Sequence, residues 1–301
     1  MISKKDILGL IQPSAIMGKQ EFDVSALIQL NVENTNPQAM MWVSQKNIHK
    51  LEEINFGVII CNEISETNCN TSCTYLICSN PRLAFQKILN QFFAPVREVG
   101  ISASAYIHPT SQIGHNVFIG HNVVIEQNCL IGDNCTIGHN TVIKSETKIG
   151  DHVIIGSNNT IGGVGFGYER NESGDFDLIH HIGNVIIKNN VEIGNNTCID
   201  RAVMGSTILE ENVKVDNLVH IAHGVKVGKN SLIIANAMVA GSVDIGENVW
   251  VAPSSSILNG LKIENNAFLG LGAVVIKNVE TNTTIIGNPG KPLIKKNNIA
   301  I

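Results

Sequence analysis

From Ile101 onward an aliphatic residue returns at every sixth position: Ile101, Ile107, Ile113, Ile119, Ile125, Ile131, Ile137, Ile143, Ile149, Ile155 and Ile161. The same beat resumes at Ile187, Ile193 and Ile199, and again from Leu209 through Ile221, Ile233, Ile245 and Ile257 to Val275. Neither a helix nor an isolated strand has a period of six. A parallel β-helix has it: each hexad forms one short flat strand and one corner, and three hexads close a triangular coil. Counting the aliphatic residue as position one, positions one and five point inward. Position five holds small residues, among them Val117, Val123, Cys129, Cys135 and Thr141. Cys129 and Cys135 are therefore read as core spacers, since a free cysteine packs as a small hydrophobe.

Position four supports the same reading. Asn occupies it at 116, 122, 128, 134, 140, 190, 212, 230, 248 and 266. A tight corner needs a residue at positive φ, which is costly for most side chains and much less so for Asn or Gly. These features resemble the left-handed hexapeptide-repeat β-helix, and it is the resemblance that supplies the handedness.

Before residue 100 the period is absent. SKKDILGLIQ predicts a short helix, and FGVIIC and TYLICS predict buried strands. NPRLAFQKILNQFF predicts a helix with Asn80 as its cap and Pro81 at its first position. The expected organisation is thus mainly β. A small α/β domain spans 1–98, a β-helix 99–286, and a short tail 287–301.

Composition narrows the function. The 301 residues carry a net charge of −5 with no run of Lys or Arg, which argues against nucleic acid as a partner. The start of the chain lacks the apolar stretch of a secretory signal, and no apolar run is long enough to span a bilayer. The seven cysteines form no C-x-x-C pair. The expected location is the cytoplasm, with the thiols reduced.

Two segments interrupt the repeat, RAVMGST at 201–207 and GGVGFGYERNESGDFDLIHHIGNV at 162–185. Insertions in a solenoid become loops on one side, often ligand-binding. The glycines of GGVGFGY match neither phosphate-loop pattern. Phe166 and Tyr168 between glycines mark the longer segment as a functional loop rather than a connector. His115, His121, His139 and His223 all stand at position three, beside a corner. His121 and His139 lie eighteen apart, hence stacked, but two histidines fall short of the usual zinc set, and no metal is expected. Gly241 follows His223 by eighteen residues, so the two should adjoin on successive coils about 5 Å apart. A histidine base beside a glycine N–H suits acyl transfer, the one accepting a proton and the other steadying an oxyanion.

The segments GVGFGYERNESGDF, HHIGNVIIKNNVEIGNNTCIDRAV and VKVDNLVHIAHGVKVG, followed by AGSVDIG, resemble the UDP-3-O-(3-hydroxyacyl)glucosamine N-acyltransferases of lipid A synthesis. The likeness covers nearly the whole repeat and, more faintly, the N-terminal domain. It implies His223 as general base, Gly241 as oxyanion donor, and Asp216, seven residues before the base, as its orienting or electrostatic support. It also implies substrate contacts from Phe166, Gly167 and Tyr168, with Asn217 and a proton-inactive His220 lining the site. The expected chemistry takes an acyl group from phosphopantetheine, on acyl carrier protein or coenzyme A, to the amine of a nucleotide-linked sugar. No cofactor is bound. The expected assembly is a homotrimer with each site between two prisms, and peripheral membrane contact is left open.

The chain departs from the family in three places. Leu261 stands where a second histidine follows Asn-Gly. MMWVSQKN puts Met41, Ser44 and Asn47 where the uridine-stacking pattern F-x-x-N-P-x-Y has its key residues, leaving Trp42, Ser44 and Lys46 as nucleotide contacts. The chain also stops soon after IIGNPGKPLIKK, as coenzyme A-dependent sugar acetyltransferases do. An acyl-CoA-dependent enzyme of surface-polysaccharide synthesis is therefore the alternative. A non-catalytic solenoid ranks last, because positions three and six show no flat rank of Thr or aromatic residues.

Overall fold

In the computed structural model, which describes residues 1–65 and 69–293, every one of the ten position-four asparagines has φ between +53° and +61°. Each turns the chain through a corner, and the next two-residue strand pairs with the coil above. Gln112 aligns with Leu130 and Phe118 with Thr136, always in parallel. Three faces result, with eight, eleven and nine strands. The chain visits them in the order eleven, nine, eight. Positions one and five fill the interior with a single column of Ile, Val and small residues, Cys129 and Cys135 among them, both fully buried.

The interruptions leave this prism intact, and each only lengthens one coil-to-coil step. Neighbouring coils normally bond across eighteen residues. Asn184 instead reaches Glu146 across 38, and Asn195 meets Asn217 across 22. The longer insertion is an antiparallel hairpin, Tyr168–Arg170 against Phe176–Leu178. Both insertions leave the nine-stranded face and return on the eight-stranded one, so they share an edge. Arg201 anchors that edge, donating from Nε to Gly162 O at 2.8 Å and from Nη2 to Ser145 O at 2.9 Å.

Contacts divide the chain into two compact units, Met1–Arg97 and Glu98–Ile301. In the first, a five-stranded sheet includes the buried strands Gly57–Cys61 and Cys73–Ile77. Helices Lys4–Ile11 and Pro81–Ile88 accompany it, capped by the side chains of Ser3 and Asn80. The expected tail begins as part of the fold, because Lys291–Pro292 pairs antiparallel with Ile285–Ile286. Its remainder, 294–301, lies outside the described residues. No helix among the described residues is long and apolar enough to cross a membrane.

Candidate active site

The edge that carries both insertions also carries His223. It follows the strand His220–Ile221, at the turn toward Lys226–Val227 on the eight-stranded face. One coil on, Gly241 lies directly against the imidazole. A Cβ added there would come within 2.6 Å of His223 Cε1 and Nε2, so only glycine lets the ring lie where it does. The backbone of Gly241 itself is not in the left-handed region; close approach, not φ, excludes a side chain.

At many other corners position three is a structural rung. Its side chain accepts the position-three N–H of the coil below, as Asp133 does for His115 at 2.7 Å and Asn265 for Glu247 at 2.8 Å. Gly241 has no side chain to do this. Among the described residues neither the His223 N–H nor the Gly241 N–H has a hydrogen-bond acceptor. His223 and Gly241 line one cavity of about 410 Å³, together with Phe166, Asp200, His220, Met238, Asn259 and Gly260.

Burial and the neighbouring His181 hold His223 below the usual histidine range. His181 comes from the return arm of the hairpin and is 6% exposed. Its Nδ1 donates to Ile179 O at 2.7 Å, and its ring meets that of His223 edge-on at 5.2 Å. Gly165 is wedged between them: a Cβ there would lie 2.8 Å from His181 Nε2 and 3.1 Å from His223 Cβ. Gly167 packs on His181 in the same way, at 3.1 Å from Cε1. The hairpin glycines thus let the loop press on the two imidazoles. Phe166 and Tyr168 contact each other, ring centroids 5.0 Å apart, and Phe166 is 87% exposed at the cavity mouth.

Asp216 is not with them. It sits at the preceding edge, between the eleven- and nine-stranded faces, and caps backbone there. One carboxylate oxygen accepts from Asn217 N and Nδ2 and the other from Ala235 N. The expectation that it supports His223 is corrected: seven residues exceed one hexad, and each hexad advances one face. Asn217 shares that edge, its Oδ1 taken by Asn195 N and Nδ2. Neither residue lines the cavity.

The carboxylate the site does contain is Asp200, which the sequence reading passed over. Its signal was present, because the 22-residue step across RAVMGST aligns Cys198 with His220 and so sets Asp200 beneath the IAH segment. His181 had no such signal, since a hairpin's return path has no period. His220 lines the cavity as well. Leu261 packs against the prism core.

In the N-terminal unit Trp42 ends the strand Ala39–Trp42 and lines a groove of about 420 Å³ with Arg82, Phe85 and Gln86. Ser44 precedes the short helix Gln45–Glu53, in which Lys46 is exposed.

Comparison with known proteins bears on this arrangement. Residues 96–165 match a model described as the GMPPB C-terminal domain, and 224–252 one described as a hexapeptide repeat of succinyl-transferase. A UDP-3-O-acylglucosamine N-acyltransferase of Campylobacter lari is 42% identical over 73% of this chain and 72% of its own length. That of Helicobacter pylori strain J99 is 39% identical, over 71% and 68%. The chain belongs to the UDP-3-O-acylglucosamine N-acyltransferase family. It is an acyltransferase of lipid A biosynthesis in type. Among solved structures, a Francisella novicida UDP-N-acetylglucosamine acyltransferase superimposes with a TM-score of 0.60 at 23% identity, covering 64% of this chain and 70% of that one. The Campylobacter jejuni UDP-N-acetylglucosamine acyltransferase gives 0.57 at 22%, covering 64% and 74%. At such identities these two speak for the shared β-helix alone.

Proposed function

We propose that the chain transfers a 3-hydroxyacyl group from the phosphopantetheine thioester of acyl carrier protein to the amine of UDP-3-O-acylglucosamine. Family membership supports the reaction, and one observation carries the mechanism: the His223 ring lies on Gly241, a residue of the same cavity whose N–H has no acceptor among the described residues. The amine attacks the thioester carbonyl while His223 accepts its proton. The Gly241 N–H donates to the oxyanion of the tetrahedral intermediate. The C–S bond then breaks, and His223 returns its proton to the leaving thiolate. Burial suits His223 to this role, because a histidine held below its usual range is uncharged and able to accept at neutral pH.

Phe166, Gly167 and Tyr168 are the proposed substrate wall, with Trp42, Ser44 and Lys46 as proposed nucleotide contacts. Support for Trp42 is its half-buried ring on a groove; Ser44 and Lys46 rest on their place in the sequence. The assembly we propose is a homotrimer. Val164, Phe166, Phe176, Ile182 and Met204, along the hairpin and the neighbouring corner, are each more than half exposed, an apolar patch that a lone prism leaves in water. Sedimentation at the mass of one chain would count against it.

The deciding experiment is a panel of donors and acceptors with the purified protein and its His223→Ala variant. Amide formation from 3-hydroxyacyl carrier protein, lost in the variant, is the expected result. Turnover only with short acyl-CoA would instead support the surface-polysaccharide alternative, which the loss of a second histidine at Leu261 keeps in view. Equal rates for both proteins would remove the base.

A further inference from the structure

An amine that arrives as an ammonium must lose two protons to become an amide. The first makes it a nucleophile, and the second leaves as the C–N bond forms. His223 serves the second, and the reaction as described leaves the first without an acceptor. The cavity holds an unused candidate. Asp200 ends the strand Cys198–Asp200 and lines the cavity with its side chain 13% exposed. Among the described residues its carboxylate is in no hydrogen bond, and the imidazole that faces it is His220, with Nε2 at 3.6 Å. Such a carboxylate is poorly compensated until a positive charge forms beside it.

Resting on the amine-acylating reading above, we infer that His220 and Asp200 together take the first proton. His220 Nε2 accepts it from the substrate ammonium, the N–H electron pair stays on the amine nitrogen, and Asp200 holds the imidazolium that results. The neutral amine then attacks, and its second proton passes through His223 to the leaving sulfur. The first proton is released from His220 to water. The balance is one amide, one thiol and one free proton per turnover. A hydroxyl acceptor has a single proton to lose and would need only His223. In this scheme His220 touches the substrate, whereas Asp200 is a positioning residue.

The surroundings fit this division. Burial pushes the Asp200 carboxyl up, and His220 and His181 oppose the shift. The other titratable groups near the pair are His223, on the same coil, and Cys198, aligned with His220 from the coil below. Burial, with Asp200 next, pushes the Cys198 thiol up, so it stays protonated. From the coil above, Met238 aligns with His220 and brings no charge.

The test is kcat/KM against pH for the full-length wild type, Asp200→Asn and His220→Gln, with the amino-sugar acceptor. At about pH 7 each variant should fall about 100-fold, the lower end of what a positioned proton acceptor contributes. At about pH 9, where an amine with the α-amino pKa of about 8 is mostly neutral, the deficit should shrink to about threefold or less. Partial misfolding would lower activity by one factor at every pH, so the comparison is made within each variant. A deficit that does not change with pH, or no deficit, overturns the pair while leaving His223 in place. A wild type without turnover on the amine overturns the parent reading instead.

Discussion

Two edges of one prism place histidines at the same hexad position and give them different work. On the edge between the eleven- and nine-stranded faces, His139 is a rung: its Nδ1 accepts the His121 N–H at 2.8 Å, and the two rings stack 5.2 Å apart. His121 in turn bonds Ser102 Oγ through its own Nδ1 at 2.7 Å. Ser157 and Asn195 have their N–H groups capped along that edge in the same manner. On the edge between the nine- and eight-stranded faces the rung above His223 is a glycine. The imidazole there is free of the backbone, the Gly241 N–H beside it has no acceptor among the described residues, and the insertions supply walls. Hexad position alone therefore does not make a histidine reactive. What separates the two is whether the neighbouring coils leave its nitrogens unused.

The largest effect expected from breaking this contrast is on turnover. His223→Ala should lower kcat by about 10²- to 10⁴-fold, the usual worth of a positioned general base. His139→Ala should leave turnover within about twofold and cost about 1 kcal/mol of stability, one backbone hydrogen bond. Steady-state rates and urea melts of the two variants, measured side by side, decide it. Equal activity losses would mean that the edges do not differ in kind.

Gly241→Asn converts the active edge into the structural one. An amide at position three can cap the His223 N–H, as Asn265 caps Glu247, but its Cβ cannot coexist with the imidazole in its present place. The variant should fold and lose about 10²-fold or more in kcat, from ring displacement and a blocked donor together. Unimpaired turnover would remove Gly241 from the oxyanion role.

Next in size is the pH response. His223 lies below its ordinary value of about 6.5, so the wild type should keep accepting protons to a lower pH than a free imidazole would. The acid limb of kcat/KM assigned to it should accordingly fall below about pH 6.5. The stability consequence has a definite sign. The folded protein binds the His223 proton less readily than the unfolded chain, so this group lowers stability as pH falls through about 6.5. A limb at or above that value, tracked by NMR titration of the His223 ring, would contradict the burial argument.

The same contrast explains what could be read in advance. The prism was legible because six-residue spacing is a direct image of its faces, and eighteen-residue spacing correctly paired His223 with Gly241. Asp216 failed under the same arithmetic, since an offset of seven moves a residue to the previous edge. Asp200 required adding the four residues of the short insertion to the eighteen of a coil. His181 required the course of a hairpin, which local sequence does not encode. The helices and buried strands of the N-terminal unit were visible in their caps and apolar runs, whereas Trp42, Ser44 and Lys46 were carried by resemblance.

The smallest effect tests the corners themselves. Asn140 holds φ at +58°, and its amide links Asn122 below to Asn158 above at 3.2 Å each. Two contributions are thus combined at one residue, tolerance of a left-handed backbone and an exposed amide ladder. Asn140→Gly removes the ladder and keeps the tolerance; Asn140→Ala removes both. Exposed side-chain hydrogen bonds contribute little, while a left-handed residue with a Cβ costs about 1–2 kcal/mol. The Gly variant should therefore melt close to wild type and the Ala variant about 1 kcal/mol below it, neither with a change in turnover. If the two lost equal stability, the asparagines of this edge would be there for their amides, and the corner would set no demand on φ that alanine cannot meet.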